Sequence, residues 1–442
     1  MTGSRWAGAR YWRCMLALVL LLPIMGLMAG LPAASDPATG RVNAPDQHDK
    51  PYLVLVSIDG FRWDYPGLYE TPALDRIAAR GLKAAAMQPV FPTLTFPNHY
   101  SIATGLPPAQ HGLVANEFPG DDGQRWYHYK DRSTVQDGSW YQAEPIWVTV
   151  ERAGMLSAAF YFVGTEADVA GIRPTHWRAF DAAVSGDDRV AQVLDWLAEP
   201  ADQRPHLVTL YFDDVDDNTH QHGPGSPESR AAIRRVDRQL GLLLDGIQAL
   251  PHGDRVYLLL VSDHGMAAYR SDDEPLVLDR VVDLAGVRAV DGGPYTYLYF
   301  DADARARIEA TRDAINAAWS CGRALTAADT PAAWQVTANP RFPDLFVQAD
   351  PGCAVISSSS KRHKITPGDH GWAPEMPEMQ GIFYALGPGI PAGSRAGVVH
   401  VTEVYPLMLA ILGLDDPRRV RGGSGPLSAL LNSLAPTTGA PP

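Results

Sequence analysis

Tyr52-Leu-Val-Leu-Val-Ser-Ile58, followed by Asp59-Gly60, is an apolar run rich in β-branched residues. A strand with one wet face alternates apolar and polar side chains; a strand covered on both faces does not. The run therefore predicts a buried central strand of a parallel sheet, with Asp59 just past its carboxyl end. In open α/β sheets, ligands bind beyond those ends. A carboxylate there stands where chemistry is done, although Asp-Gly alone reads equally well as a turn.

Similar runs recur at Leu156 to Phe162, Leu207 to Phe212 and Val256 to Val261. Helical spacing fills the gaps at Thr71 to Arg80, Asp187 to Leu197 and Pro227 to Leu250. Alternation of this kind predicts the α/β class, a largely parallel central sheet sandwiched by helices. From about Ala267 to Thr366 the pattern changes, with strands at Tyr295 to Phe300 and Asp344 to Val347 and a helix at Ala304 to Trp319. That stretch is read as an inserted subdomain. A helix is expected again at Thr402 to Leu412, and a short ordered segment at Leu427 to Leu434.

Arg5, Arg10 and Arg13 precede an apolar run from Met15 to Leu31, and small residues follow at Ala33, Ala34 and Ser35. This layout is read as a signal peptide over residues 1–34. An uncleaved anchor is the alternative, in a run near the short limit for a span and holding Pro23. A linker is expected over 35–50, a catalytic domain over 51–432 with the insertion at about 267–366, and a disordered tail over 433–442. The expected protein is exported, periplasmic or secreted, with no stable membrane partner after signal cleavage. The formal charge is −13 over 442 residues, and −16 without the three leading arginines. Such a charge argues against a nucleic-acid duplex as partner. It leaves room for a small anionic substrate at a local cationic centre. Cys321 and Cys353 remain in the mature chain and predict one disulfide, with two buried thiols as the alternative.

The chemistry gathers around Phe91-Pro-Thr-Leu-Thr-Phe-Pro-Asn-His-Tyr100. Pro97 suits a first helical turn, Asn98 to Thr104 suits a helix, and Gly105 suits its end. Thr95 is thereby placed at a helix N-terminus, which favours an anion. A threonine hydroxyl needs a base or a metal to become a nucleophile; alone, Thr95 reads as a cap. Other segments end in Asp59, in Asp216 with His220, in Asp263 with His264, and in His370. With Thr95 these make seven oxygen or nitrogen donors at one expected sheet edge, which suits two zinc-like ions. Singly, each Asp or His reads as a turn residue; their coincidence points to a two-metal site.

In order and spacing, six motifs resemble the nucleotide pyrophosphatase/phosphodiesterase family of the alkaline phosphatase superfamily. They are Ser57-Ile-Asp-Gly-Phe61, Thr95-Phe-Pro-Asn-His-Tyr100, His111-Gly-Leu-Val-Ala-Asn116, Asp216-x-x-x-His220-x-x-Gly-Pro224, Ser262-Asp-His-Gly-Met266 and Asp369-His-Gly-Trp372. The resemblance implies an alkaline phosphatase-like fold and two Zn2+ per chain. It implies that Asp216, His220 and His370 hold one ion, and Asp59, Thr95, Asp263 and His264 the other. Thr95 would be the nucleophile, and Asn116 would bind the phosphoryl oxygen opposite the metals. The N–H groups of Asn116 and of the Phe96 backbone are candidate oxyanion donors. His99 is read as structural. The implied reaction is hydrolysis of nucleotide phosphodiesters and pyrophosphates to nucleoside 5′-monophosphates through a phosphothreonine.

One departure concerns specificity. The family often shows Trp-Pro-Gly-Ser/Thr after the second strand, where this chain has Phe162-Val-Gly-Thr165. Phe96, Trp177 and Tyr211 are the candidate substrate-binding rings, placed to stack on a base. A sulfatase lacks support because the Cys-x-Pro-x-Arg signature is absent, and a monoesterase because no arginine accompanies Thr95 between Thr93 and Tyr100. A phosphodiesterase acting on glycerophosphodiesters or choline-phosphate esters, and an inactive binding protein of this fold, are the alternatives.

Overall fold

The computed structural model describes residues 40–270, 274–337, 339–415 and 425–434. The expected signal peptide and nearly all of the expected tail lie outside the described residues. Of the expected linker, residues 40–50 are described, and they are docked on the body. Asn43 is buried, its amide donates to the carbonyls of Ala201 and Arg204, and its Oδ1 accepts from Leu156 N–H.

Every residue of Tyr52–Ile58 is buried, and its alternation is between two apolar cores. Leu53 and Leu55 enter one, with Ile102, Val148 and Leu407 from the helices Thr95–Thr104, Ile146–Arg152 and Val404–Leu412. Tyr52, Val54, Val56 and Ile58 enter the other, with Leu74, Val193 and Val236 from Pro72–Arg80, Gly186–Ala198 and Pro227–Ala249. Two helical layers thus cover both faces, which is why the run carries no polar period.

The main sheet has eight strands in the spatial order Ser394–His400, Leu82–Gln88, Phe383–Leu386, Val256–Val261, Tyr52–Ile58, Leu207–Phe212, Ser157–Phe160, His176–Trp177. Phe383–Leu386 pairs antiparallel with both neighbours, and the other pairings are parallel. The sheet is therefore largely parallel, as expected. The expected strand through Phe162 stops at Phe160, because Tyr161 and Phe162 take positive φ of 66° and 153° and turn away from the ladder. Thr71 occupies the N-cap of the helix Pro72–Arg80, but its hydroxyl makes no capping bond. The Asp237 carboxylate, from another helix, accepts from the N–H groups of Ala73 and Leu74 instead.

Within the altered stretch, Val287–Asp291, Tyr295–Phe300, Gly322–Leu325 and Leu345–Ala349 form a separate antiparallel sheet. Cys321 and Cys353 are joined, with Cα atoms 6.1 Å apart. Among the described residues, no helix is long and apolar enough to cross a membrane.

Leu55→Ala should cost about 2–5 kcal/mol of stability by removing buried methyl groups from the central strand, read as a lowered urea midpoint. A loss below about 1 kcal/mol would show that this face is not packed as described. Alkylation of the unreduced protein should leave both mature cysteines unmodified, and two alkylated thiols by mass spectrometry would exclude the disulfide.

Candidate active site and metal centre

Neighbouring parallel strands deliver most of the donors. Asp59 follows Tyr52–Ile58, which lies between Val256–Val261 and Leu207–Phe212. Asp263 and His264 follow Val256–Val261 after one residue. Leu207–Phe212 leads into the helix Asp214–His222, where Asp216 and His220 lie one turn apart and His220 Nε2 is 3.5 Å from Asp216 Oδ2. Gly60 permits the approach. Its φ is +64°, and a Cβ there would lie 2.9 Å from Asp216 Oδ1 and 3.1 Å from Asp216 Cα.

His370 departs from the expectation of a strand end. It sits on an irregular loop, held by a bridge between Asp369 and Ala267 and by its Nδ1 against the Thr93 carbonyl at 2.8 Å. The altered stretch takes the chain away from the main sheet, and the return at Gly368 to Trp372 forms no strand.

Two buried carboxylate oxygens, Asp59 Oδ1 and Asp216 Oδ1, have no hydrogen-bond partner, and Asp263 Oδ2 faces only the rings of His264 and His99, at 3.0 and 3.3 Å. Orphaned acceptors of this kind are costly unless a cation satisfies them. The histidines suit the same cation. His220 Nδ1 bonds the Gly368 carbonyl at 2.9 Å, His264 Nδ1 the Gly265 carbonyl at 3.0 Å, and His370 Nδ1 the Thr93 carbonyl. A protonated Nδ1 leaves each Nε2 lone pair for a metal. His264 and His370 stack with centroids 3.7 Å apart.

Asp216, His220 and His370 can each present one donor atom with all three atoms within 4.8 Å of one another. The other expected set is less closed. Asp59 and His264 group with Asp216, while Asp59 and Asp263 group with His99. His264 Nε2 nevertheless lies 3.0 Å from Asp263 Oδ2, 3.5 Å from Asp59 Oδ1 and 3.3 Å from Thr95 Oγ1. His99 has both nitrogens engaged, with the Thr95 carbonyl at 2.9 Å and Ser57 Oγ at 2.8 Å, so it ties the helix to the central strand.

Crowding sets the protonation. Burial, then the Asp263 and Asp216 charges, pushes Asp59 well above the carboxylate range. Burial likewise raises Asp216, with His220 and His264 offsetting part of it. Burial would raise Asp263 too, but His264 and His99 outweigh it and hold that carboxyl low. Burial, then the neighbouring His264 and His220, keeps His370 neutral. The pit stores repulsion between acids that a divalent ion would relieve.

Thr95 is the first residue of the helix Thr95–Thr104, which Gly105 ends at φ 71°. The loop carrying Asn116 is fastened to this helix by His111, whose ring meets Ser101 Oγ at 3.0 Å and accepts from Leu113 N–H. Phe96 N–H donates to Asn116 Oδ1 at 3.1 Å. That N–H is therefore committed to Asn116 and is not an open oxyanion donor. The same bond makes Oδ1 the acceptor, so the donor that Asn116 has left to offer is its Nδ2 amide.

A cleft of about 520 Å3 opens over these groups, lined by Asp59, Thr95, Phe96, Asn116, Tyr211 and His370 among others. Tyr211 does more than wall it, since its hydroxyl donates to Asp59 Oδ2 at 2.6 Å. Trp177, the other expected ring, is not among the residues that line this cleft. It lies in the two-residue edge strand paired with Ala159, under the Arg173 guanidinium. Three residues on, Phe180 lines the cleft, together with Tyr129, Lys130, Tyr161 and Glu166. Sequence reasoning missed these because they follow short or irregular segments; the double aromatic after the second strand was the available signal.

The model of the family "Type I phosphodiesterase / nucleotide pyrophosphatase" matches residues 53–373. The chain belongs to this family. Family member 5 of the human ectonucleotide pyrophosphatase/phosphodiesterases is 30% identical over 392 residues, covering 88% of this chain and 80% of that protein. Murine member 1 is 31% identical over 398 residues, covering 88% of this chain but 43% of its own length, so the chain spans under half of that relative. A bis(5′-adenosyl)-triphosphatase of Bos taurus is 29% identical over 420 residues, with 94% and 87% covered. The structure of human member 5 matches with a TM-score of 0.79 at 29% identity, over 86% of this chain and 100% of that chain. Its murine counterpart, an inactive variant in complex with AMP, matches with a TM-score of 0.77 at 29% identity, over 83% and 96%.

If the pit holds ions, purified protein should carry roughly two divalent ions per chain by elemental analysis. Their removal by a chelator should lower the thermal midpoint as well as abolish ester hydrolysis. Unchanged stability and activity in metal-free protein would remove the basis for a metal centre here.

Proposed function

We propose that this chain is a two-zinc phosphodiesterase/pyrophosphatase that cleaves nucleotide diesters and pyrophosphates to nucleoside 5′-monophosphates. The observation that carries the reading is Thr95 Oγ1 at a helix N-terminus, 3.3 Å from His264 Nε2, in one cleft with Asp59 and Asp216, each of which buries an unpartnered Oδ1. Asp216, His220 and His370 would hold one ion, and Asp59, Asp263 and His264, with Thr95, the other. Bound there, the ions would stabilise the Thr95 alkoxide and the charge of the phosphoryl and leaving oxygens.

Thr95 Oγ attacks phosphorus in line with the leaving alcohol or phosphate. The phosphorus–oxygen bond to that group breaks, and a phosphothreonine results. Water then attacks the phosphorus, the bond to Thr95 Oγ breaks, and the monophosphate leaves. Asn116 Nδ2 donates to the phosphoryl oxygen, oriented by the Phe96 N–H bond. Tyr211 fixes the Asp59 carboxylate. Phe96 and Phe180, both at the cleft, offer apolar faces to the organic part of the substrate. The bis(5′-adenosyl)-triphosphatase and the AMP-bound variant among its relatives agree with that choice.

Thr95→Ala should fold with an unchanged thermal midpoint and lose at least about a thousandfold in kcat, while Thr95→Ser keeps measurable turnover. The assay set is a nucleotide diester, a nucleoside triphosphate, glycerophosphocholine and a phosphomonoester. Near wild-type kcat in Thr95→Ala would place the nucleophile elsewhere. Hydrolysis of glycerophosphocholine without nucleotide turnover would move the reading to head-group esters.

A further inference from the structure

The cleft wall away from the acidic pit is built from three separate segments that meet on one carboxylate. Tyr129 to Arg132, Tyr161 to Glu166 and Phe180 to Ala182 each contribute lining residues. Glu166 is buried at 5% exposure. Its Oε1 accepts from Arg132 Nη1 at 2.9 Å and from Phe180 N–H at 2.9 Å. Its Oε2 accepts from Arg132 Nη2 and from Gln136 Nε2, the latter at 3.0 Å. Arg173 Nε holds the Glu166 carbonyl at 2.9 Å. Two parallel N–H bonds from one guanidinium fix orientation as well as distance.

The segments that meet at this junction also carry rings at the cleft. Tyr129, three residues before Arg132, meets Phe96 edge-on with centroids 5.8 Å apart. Phe180, whose N–H ends on Glu166, meets Tyr161 at 5.0 Å and Tyr211 at 6.2 Å. None of these carboxylate hydrogen bonds reaches a candidate metal ligand. Its carboxylate therefore joins the two aromatic sides of the cleft without touching the reacting centre.

We propose that Glu166 is a positioning residue that sets the spacing of the aromatic wall, and so controls affinity for substrates carrying a planar ring beyond the phosphate. This rests on reading the cleft as a nucleotide phosphodiesterase site. Glu166→Gln keeps the shape but turns an NH2 toward donors. Arg132→Met removes the other half of the junction from a more exposed position.

Both variants and wild type are assayed on two esters with the same leaving group, the 4-nitrophenyl ester of thymidine 5′-monophosphate and methyl 4-nitrophenyl phosphate. KM for the nucleoside ester should rise about tenfold in each variant with kcat within about twofold, and kcat/KM for the methyl ester should stay within about twofold. The double variant should be no worse than the worse single one. Equal losses on both esters, or no change on either, would overturn the inference while leaving the phosphodiesterase reading intact. If Glu166→Gln does not fold, Arg132→Met alone decides between these outcomes. A wild-type enzyme that cleaves the methyl ester and never the nucleoside ester would sink the nucleotide reading, and this inference with it.

Discussion

Like charges held together against their repulsion are the constraint on which the rest of the structure depends. Asp59, Asp216 and Asp263 lie together at the ends of adjacent strands or one helical turn beyond, and Asp59 and Asp216 each bury an oxygen without a partner. No small assembly of side chains would keep them there. Parallel register on both sides of Tyr52–Ile58 does so by backbone geometry, and Gly60 removes the one Cβ that would push Asp216 away. The two apolar cores supply the stability that the acidic pit costs.

Around the pit, backbone carbonyls take the work that free side chains would do poorly. His220, His264 and His370 each direct Nδ1 to a carbonyl, so their ring planes are set before any ligand arrives. Tyr211 and His99 brace the next layer, one on Asp59 and one between Ser57 and the Thr95 helix. This is preorganisation of the kind electrostatic catalysis requires. The stretch that joins Gly322–Leu325 to Leu345–Ala349 of the separate antiparallel sheet braces the same region from outside. Arg341 reaches Asp121 and the carbonyls of Gly112 and Trp140, and Trp334 stacks on Phe91 at 3.9 Å.

The opposite wall follows another logic. Its rings, of which Tyr129 and Phe180 are exposed and Tyr161 and Phe162 buried, come from segments with little regular structure, so their spacing depends on side-chain bonds instead of a ladder. Phe162 and Tyr161 turn at positive φ, and Phe180 is 40% exposed. One side of the cleft is therefore rigid by fold, and the other by a single charged junction at Glu166.

By itself the sequence determined the class of fold, because continuous apolar runs such as Tyr52 to Ile58 are stable only when covered on both faces. It also pointed to the candidate donors, since acids and histidines at or soon after the ends of such runs, as Asp59, Asp216, His220, Asp263 and His264 are, are carried to one edge by parallel pairing. Thr95 was legible at a helix start through Pro97 and Gly105. Two strands outside the central run were not: Leu82–Gln88 and Ser394–His400 are as long as Tyr52–Ile58 but carry alanine, glycine and charge in place of a continuous apolar run, and they pair where a neighbour offers an edge. His370 was legible as a residue but not as a loop position, because its place depends on Thr93 and Ala267, distant in sequence. Only the tertiary structure decided that Phe180 and not Trp177 lines the cleft, and that Phe96 N–H is taken by Asn116. Periodicity reports which face of an element is buried. Which loop residue reaches a cleft depends on where the chain leaves the sheet, and that is settled by contacts between segments far apart along it.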